Sequence, residues 1–482
     1  MNVSRRNWLA AAGASMLLPR SIQAADLHGS GDPDVWPVVV VGSGLAGLSA
    51  AYSAMQNAAG RVLLLEKGPL IGGHSQYSSG SIATVVPHDP KRSGWQDSVE
   101  QFIADALAVG GGSGDTAVLT ALARDSYSAL KWLESTGVFF GLVFTAKSGL
   151  HPRCFAMPGN SAGRSYVLAM ARCVRDAGAT FRLNNQVVGF ERSPSRDWFV
   201  RVKESAGGKT ISKTYVAKSL VIASGGFTAD RKRCARIDPR LTAEVHTTAN
   251  PYGTVWDGAT SEILDVAQAV GAAVTDGFGL QLLPFWGGRL LDYDGGDIYV
   301  NAAGERFVNE SLPWKVITDK MLDLEDRSCW VITDARSHKG AMLGLKLING
   351  IVYKADTIEE MASRMHVPSP VLKKTIETYN KSVDKGYDEI TGKTIFSQRI
   401  EQPPFYFGRE SIYIHTTLDG IRTDEHARVL SVQGVPMQGL FVAGEIAGGI
   451  FGTDRLGGAS MTNCLVMGRR AGKNAAINAR KG

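Results

Sequence analysis

Chemistry is first offered by a run of small residues, Gly42-Ser43-Gly44-Leu45-Ala46-Gly47, with Glu66 following 24 residues after Gly42. Glycines at this spacing let a chain turn tightly and bring backbone N–H groups against a pyrophosphate at a helix N-terminus. A carboxylate placed as Glu66 is can accept from both hydroxyls of a ribose, which favours a ribose without a phosphate. The chemistry is the holding of a dinucleotide, FAD or NAD rather than NADP. A Gly-x-Gly-x-x-Gly-like run alone is common in ordinary turns, so its setting decides. Here Val38-Val39-Val40-Val41 reads as a strand buried on both faces, Leu48 to Met55 as the following helix and Arg61 to Leu65 as a second strand.

Other elements must converge on the same ligand. Ser219-Leu220-Val221-Ile222-Ala223 is a buried strand running into Ser224-Gly225-Gly226, and Gly439 to Ala443 is another that runs into Gly444-Glu445. The stretch from Gly72 through Gly73, His74, Ser75 and Ser79 to Gly80 and Ser81 is small and polar enough to lie against a ligand. Asp115 or Thr116 caps a helix carrying Leu119, Leu122, Leu130 and Leu133 on one side and closed by Gly137. Helices are also predicted over 165–176 and 257–273, and strands between Thr180 and Phe227 with turns at Pro194-Ser195 and Gly207-Gly208. From about 284 to 414 aromatic residues and mixed patterns mark an inserted domain. In it Ser369-Pro370 starts a helix with Leu372, Ile376, Tyr379 and Val383 inward. Leu456-Gly457-Gly458-Ala459-Ser460-Met461 opens the final helix.

A chain of 482 residues has room for two or three domains, and 44% hydrophobic with 20% charged residues is globular rather than disordered composition. Residues 1–25 hold Arg5, Arg6 and Arg20 and no acid, so their removal lowers the net charge of +6 by three, to +3. That balance points to no nucleic acid and no membrane partner. Arg5-Arg6, the apolar run Leu9 to Leu18 and the small pair Ala24-Ala25 together read as a twin-arginine export signal, too short to span a bilayer. The expectation is a periplasmic protein, exported folded with its cofactor and without membrane insertion. Cys154, Cys173, Cys234, Cys329 and Cys464 show neither a Cys-x-x-Cys pair nor a haem-attachment spacing, and read as free thiols. No cluster with metal-ligand spacing is visible.

Three pieces together, Gly42 to Glu66, Ala223 to Gly226, and Gly439 to Gly472 with Gly444-Glu445 and Arg455-Leu456-Gly457-Gly458, resemble the flavoprotein subunits of succinate dehydrogenase and fumarate reductase. The likeness is greatest to the soluble periplasmic fumarate reductases and urocanate reductase, and it extends over roughly 36–480. It implies an α/β protein: a Rossmann-like FAD-binding domain over 36–283 and 415–480 with an inserted α+β capping domain over 284–414. By this resemblance Gly42, Gly44, Gly47, Glu66, Gly73, Gly226, Glu445 and Ser460 contact FAD. Leu45, Ala46, Lys67, His74, Ser75, Ser79, Gly80, Ala223, Gly444, Arg455, Ala459 and Met461, in the same motifs, are placed with them. His74 falls where membrane-bound relatives tether FAD covalently and soluble ones usually carry Asn; a hydrogen-bonding role is favoured over a covalent link.

The resemblance also implies hydride transfer from flavin N5 to the β-carbon of an α,β-unsaturated acid, with a proton added at the α-carbon. His415, in Ile414-His415-Thr416-Thr417, and Arg455 match the family's substrate histidine and arginine, with Gly458 beside them. A guanidinium fork and an imidazole suit one carboxylate. Two departures matter. Family members carry Gln-x-His-Pro where this chain has Gln281-Leu282-Leu283-Pro284, and an arginine proton donor where it has Trp314. With Phe285 and Trp286 nearby, one carboxylate is held and the far end of the pocket is apolar: a 2-enoate monocarboxylic acid. Lys315, Tyr413 and Arg409 are the candidates for the proton donor. With no second dinucleotide motif and no haem motif, electrons are expected from a separate c-type cytochrome or quinol-linked protein. Two alternatives keep the fold: a dehydrogenase or oxidase desaturating an acid or a 3-keto compound, and a flavin electron carrier that lacks a working substrate site.

Overall fold

The four valines at 38–41 sit in the strand Val35–Val41, each 0–6% exposed, because a β-branched run fits a sheet covered on both faces. A computed structural model of the chain describes residues 35–86, 95–158, 162–242, 244–285, 290–291, 293–339 and 343–481. The export segment and Trp286 lie outside the described residues. Val35–Val41 pairs in parallel with Val62–Leu65 on one side and Lys209–Ile222 on the other, with Val40 opposite Leu64 and Val221. Thr180–Arg182 extends this sheet at one edge, and Pro436–Val442 then Arg428–Leu430 at the other. Asn185–Arg192 and Trp198–Ala206 form an antiparallel flap on the long strand Lys209–Ile222.

The helix Leu45–Gln56 follows the glycine turn and lies against the last helix, Ala459–Lys481. Small residues set that approach: a Cβ on Gly468 would stand 2.6 Å from the Ala46 carbonyl oxygen, and one on Gly472 2.0 Å from that of Ala50. The predicted cap is Asp115, whose carboxylate accepts from the N–H groups of Ala117 and Val118 at the start of Thr116–Glu134. The helix expected over 257–273 is only Glu262–Ala269. Residues 257–261 are spent on side-chain and turn hydrogen bonds instead, with Asp257 turned to His74.

A second sheet holds Leu280–Phe285, Phe405–Thr417, Ser328–Thr333, Ile298–Val300 and Tyr353–Ala355, all antiparallel. Its strands begin before 284 and end after 414, so His415 lies on the sheet itself rather than beyond the inserted segment. Part of the insertion has its own core, in which Leu372, Ile376 and Tyr379 of Ser369–Lys385 meet Ile332 and Phe407. Three short strands, Ile82–Ala83, Cys154–Ala156 and Leu142–Phe144, form a third sheet. Among the described residues no helix is long and apolar enough to cross a membrane, no group of His, Cys, Asp and Glu could hold a metal, and the five cysteines are free.

Candidate active site

The ends of the parallel strands meet at the glycine turn, where glycines serve two purposes. Gly42 has φ +100°, and a Cβ there would stand 2.3 Å from the Ala223 carbonyl oxygen; one on Gly47 would stand 2.0 Å from that of Gly42. These two are required by packing. A Cβ on Gly44 would meet nothing nearer than Ser75 Oγ at 3.5 Å, one on Gly73 only Gly44 Cα at 4.0 Å, and one on Gly225 nothing within 4 Å. Packing does not require these three to be glycine, and Gly225 alone borders open space. Ser75 Oγ accepts from the Leu45 N–H at 3.1 Å, in the first turn of the helix. Gly80 is buried against Ala162 while Ser79 is exposed, and Gly444 packs on Ala46.

Glu66 is 8% exposed and aims back at this turn. Its Oε2 accepts from Ser43 N–H at 3.0 Å and Ser43 Oγ at 2.6 Å, and its Oε1 from Gly68 N–H at 2.8 Å. The indole of Trp256 covers Gly68 beside it. Lys67 sends its ammonium to Thr260 and Glu262. His74 Nε2 is 2.6 Å from Asp257 Oδ1. Burial disfavours the charged ring, but the bond to Asp257, its charge and that of Glu445 outweigh burial and raise the His74 pKa. An Nε2 held this way carries a proton and is a poor nucleophile.

Glu445 joins the two sheets. Its Oε1 accepts from Thr417 N–H at 2.9 Å, and a Cβ on Gly226 would stand 2.1 Å from the same oxygen. Ala459 and Met461 are buried, Ser460 is half-buried, and the final helix starts just after Gly458, at φ +79° against Cys154. Backbone without side chains at Gly44, Gly73 and Gly225, a buried acceptor acid at ribose spacing and helix N-termini at Leu45 and Ala459 fit FAD.

Arg455 is 8% exposed, and its Nη2 donates to Gln281 Oε1 at 2.9 Å. Gln281 pairs in register with Thr416, so Arg455 is held at the strand end that carries His415. His415 Nδ1 lies 2.8 Å from Thr248 Oγ1. Along this strand Ile412, Ile414 and Thr416 are buried while Tyr413 and His415 are half-buried, so these two share one face. Phe285 meets Tyr413 edge to face at 5.9 Å. Leu283 and Trp314 are in the core, at 1% and 5% exposure. Of the apolar residues expected around the substrate, Phe285 is the one among the described residues whose ring meets Tyr413.

The sequence-based proton donors are placed differently from one another. Lys315 Nζ is turned to Asp319 at 2.9 Å and is half-exposed, and Arg409 pairs with Asp326 at 2.9 Å. Burial, with Tyr252 adding to it, raises the Tyr413 pKa.

Sequence reasoning missed Asp257, Thr248 and Asp454. Asp454 accepts from the Lys315 N–H at 2.9 Å through Oδ2, and from Gln281 Nε2 at 2.5 Å and its neighbour Arg455 N–H at 2.7 Å through Oδ1. Burial raises its pKa against those bonds. Only its adjacency to Arg455 could have marked it; Asp257 and Thr248 stand in no motif.

A dinucleotide cradle at parallel strand ends, facing a buried arginine and a histidine carried on an inserted sheet, defines an FAD-dependent oxidoreductase. Residues 37–461 match the FAD binding domain family, and the chain belongs to it. It is 31% identical over 463 residues to a probable fumarate reductase of Shewanella frigidimarina, covering 93% of this chain and 76% of the relative. It is 29% identical over 521 residues to the acrylate reductase flavoprotein subunit of Shewanella woodyi, covering 98% of each. Among solved structures, the open conformation of a flavocytochrome c3 fumarate reductase matches with TM-score 0.71 and 29% identity, over 94% of this chain and 80% of that one. The enzyme is a fumarate reductase-like flavoprotein that uses FAD.

Proposed function

We propose that this enzyme reduces the C=C bond of a 2-enoate monocarboxylic acid with an apolar or aromatic tail. Bound FAD supplies hydride from its reduced ring. Arg455, oriented by Gln281, takes the carboxylate with its guanidinium fork. A proton on His415 Nε2, the tautomer in which Thr248 donates to Nδ1, lets the ring donate to the same anionic head. The two donors stabilise the enolate charge that develops as the double bond is saturated. Phe285 and Tyr413 line the face beside His415 and take the tail, where a second carboxylate would lose its water without gaining a partner.

The observation that carries this reading is the Gln281–Arg455 bond at the His415 end of the strand pair. FAD is held without a covalent bond, since His74 Nε2 is engaged by Asp257. Export to the periplasm rests on Arg5-Arg6 and the apolar run after them, and electrons come from a separate c-type cytochrome or quinol-linked protein. Anaerobic reoxidation of the chemically reduced holoprotein tests the substrate class. Crotonate-, cinnamate- or acrylate-type acids are expected to reoxidise the flavin faster than fumarate. Fumarate as the fastest oxidant, or no reoxidation by any acid, overturns it.

A further inference from the structure

Trp256 stands beside the ribose acid with most of its ring uncovered. The indole is 60% exposed, in a loop whose Tyr252 and Val255 are 59% and 56% exposed. Tryptophan is highly buried on average, so a ring left this bare at the border of a ligand site calls for a partner. Only its edge is seated. A Cβ on Gly68 would stand 2.7 Å from Trp256 Cζ3, and one on Gly258 2.5 Å from Cη2. Two glycines from different segments thus form a slot that residues with side chains would close.

Neighbouring bonds hold the ring at this slot. Asp257 Oδ1 accepts from His74 Nε2 at 2.6 Å and from Ala259 N–H at 3.0 Å, and its Oδ2 from Thr247 Oγ1 at 3.1 Å. Asn250 Nδ2 donates to the Val255 carbonyl at 2.7 Å, and Val255 N–H to Asn250 Oδ1 at 3.4 Å, which ties the loop to itself. Lys67 runs past Gly258, where a Cβ would stand 3.0 Å from Lys67 Cε, and its ammonium reaches Thr260. The backbone of Trp256 is therefore anchored on both sides.

Glu66 supplies an independent observation. A carboxylate has about four acceptor sites. Among the described residues Oε2 takes two donors, both from Ser43, and Oε1 takes one, the Gly68 N–H. The site left over is on Oε1. A Cβ on Gly68, the same point that borders the indole, would stand 3.3 Å from that oxygen. A ribose 2′-hydroxyl donating there has its base on the next carbon of the sugar, within reach of the ring.

We propose that Trp256 is the adenine platform of the FAD site: its uncovered π-face stacks on the base while Glu66 Oε1 holds the ribose. An indole offers a base a large π-face, and losing such a stack weakens binding roughly 10- to 100-fold. This role does not depend on which acid the enzyme reduces. It gives the adenosine end a side-chain contact beyond the glycine turn.

ADP, which carries the adenine and ribose without the flavin, is the probe. Titrated into the flavin-free full chain, it is expected to quench tryptophan emission in the wild type, and the quench is expected to be lost in Trp256→Phe. FAD release on dilution of the holoprotein, read by the rise in flavin fluorescence, should be about 10- to 100-fold faster in Trp256→Ala and intermediate in Trp256→Phe, which keeps a smaller ring. No quench by ADP in the wild type, or a quench that survives in Trp256→Phe, overturns the proposal. So does a Trp256→Ala protein that holds FAD as tightly as wild type or more tightly, since the indole would then fill space the cofactor needs. If Trp256→Ala fails to fold, Trp256→Leu decides: it keeps apolar bulk without a π-face, faster release supports the platform and wild-type release overturns it. None of these readouts involves turnover, so failure of the substrate assignment leaves them unchanged.

Discussion

The strand ends of the parallel sheet and the end of the inserted sheet differ in what they offer a ligand. At the first, backbone does the work: positions without side chains at Gly44, Gly73 and Gly225, with Gly42 and Gly47 fixed by packing at 2.3 and 2.0 Å. At the second, side chains do it: Arg455 on Gln281, His415 on Thr248, and Asp454 on the amides of Lys315 and Arg455. A backbone site asks only that certain positions lack a side chain. A side-chain site asks for particular groups at particular distances. On the proposed function, the first kind serves one cofactor and the second is where the substrate is chosen.

Three substitutions sharpen or break this contrast. The largest effect is expected at Arg455→Met, which removes the charge-bearing fork. kcat/KM should fall by about 100- to 1,000-fold while the flavin spectrum and FAD content stay as in wild type. Loss of flavin instead would show that the two regions are one energetic unit. Next is Gly226→Val, whose Cβ would stand 2.1 Å from Glu445 Oε1 and 2.4 Å from Thr417 Oγ1. Overpacking of about 1–3 kcal/mol corresponds to roughly 10- to 100-fold weaker FAD binding, read by flavin titration of the apoprotein.

The smallest concerns His74. Its raised pKa means its bond to Asp257 stabilises the fold fully below about pH 6.5, the unfolded value, and is lost as pH rises through the higher folded value. Asp257 has the opposite sign: burial alone would raise its pKa, but the bond and charge of His74 lower it, so its share is lost only as pH falls into the acid range. His74→Asn should cost about 1 kcal/mol near neutrality and flatten the alkaline decline of the holoprotein melting temperature. Acid precipitation of wild type should leave the yellow colour in the supernatant; colour kept in the pellet would mean a covalent link.

Backbone features were legible in the sequence because they depend on residue type and spacing alone. Val38 to Val41, the Gly42–Gly47 turn, Glu66 and the cap at Asp115 follow from local rules. The partners of Arg455, His415 and His74 follow from no local rule. Gln281 reaches Arg455 across 174 positions, Thr248 reaches His415 across 167, and Asp257 reaches His74 across 183. The helix predicted from 257 failed at its start for the same reason: Asp257 and Thr260 are engaged by His74 and Lys67, and the apolar periodicity carries no trace of that demand.

One carboxylate, that of Asp454, is shared by the first turn of the helix Trp314–Leu322, by Gln281 and by the backbone of Arg455. Inserted segment and anchoring arginine are consequently not interchangeable parts. A chimera that borrowed 284–414 from a relative would still turn yellow with FAD. Unless its amide at position 315 came back to the same oxygen, its guanidinium would lose its bearing and the coloured protein would leave its acids untouched.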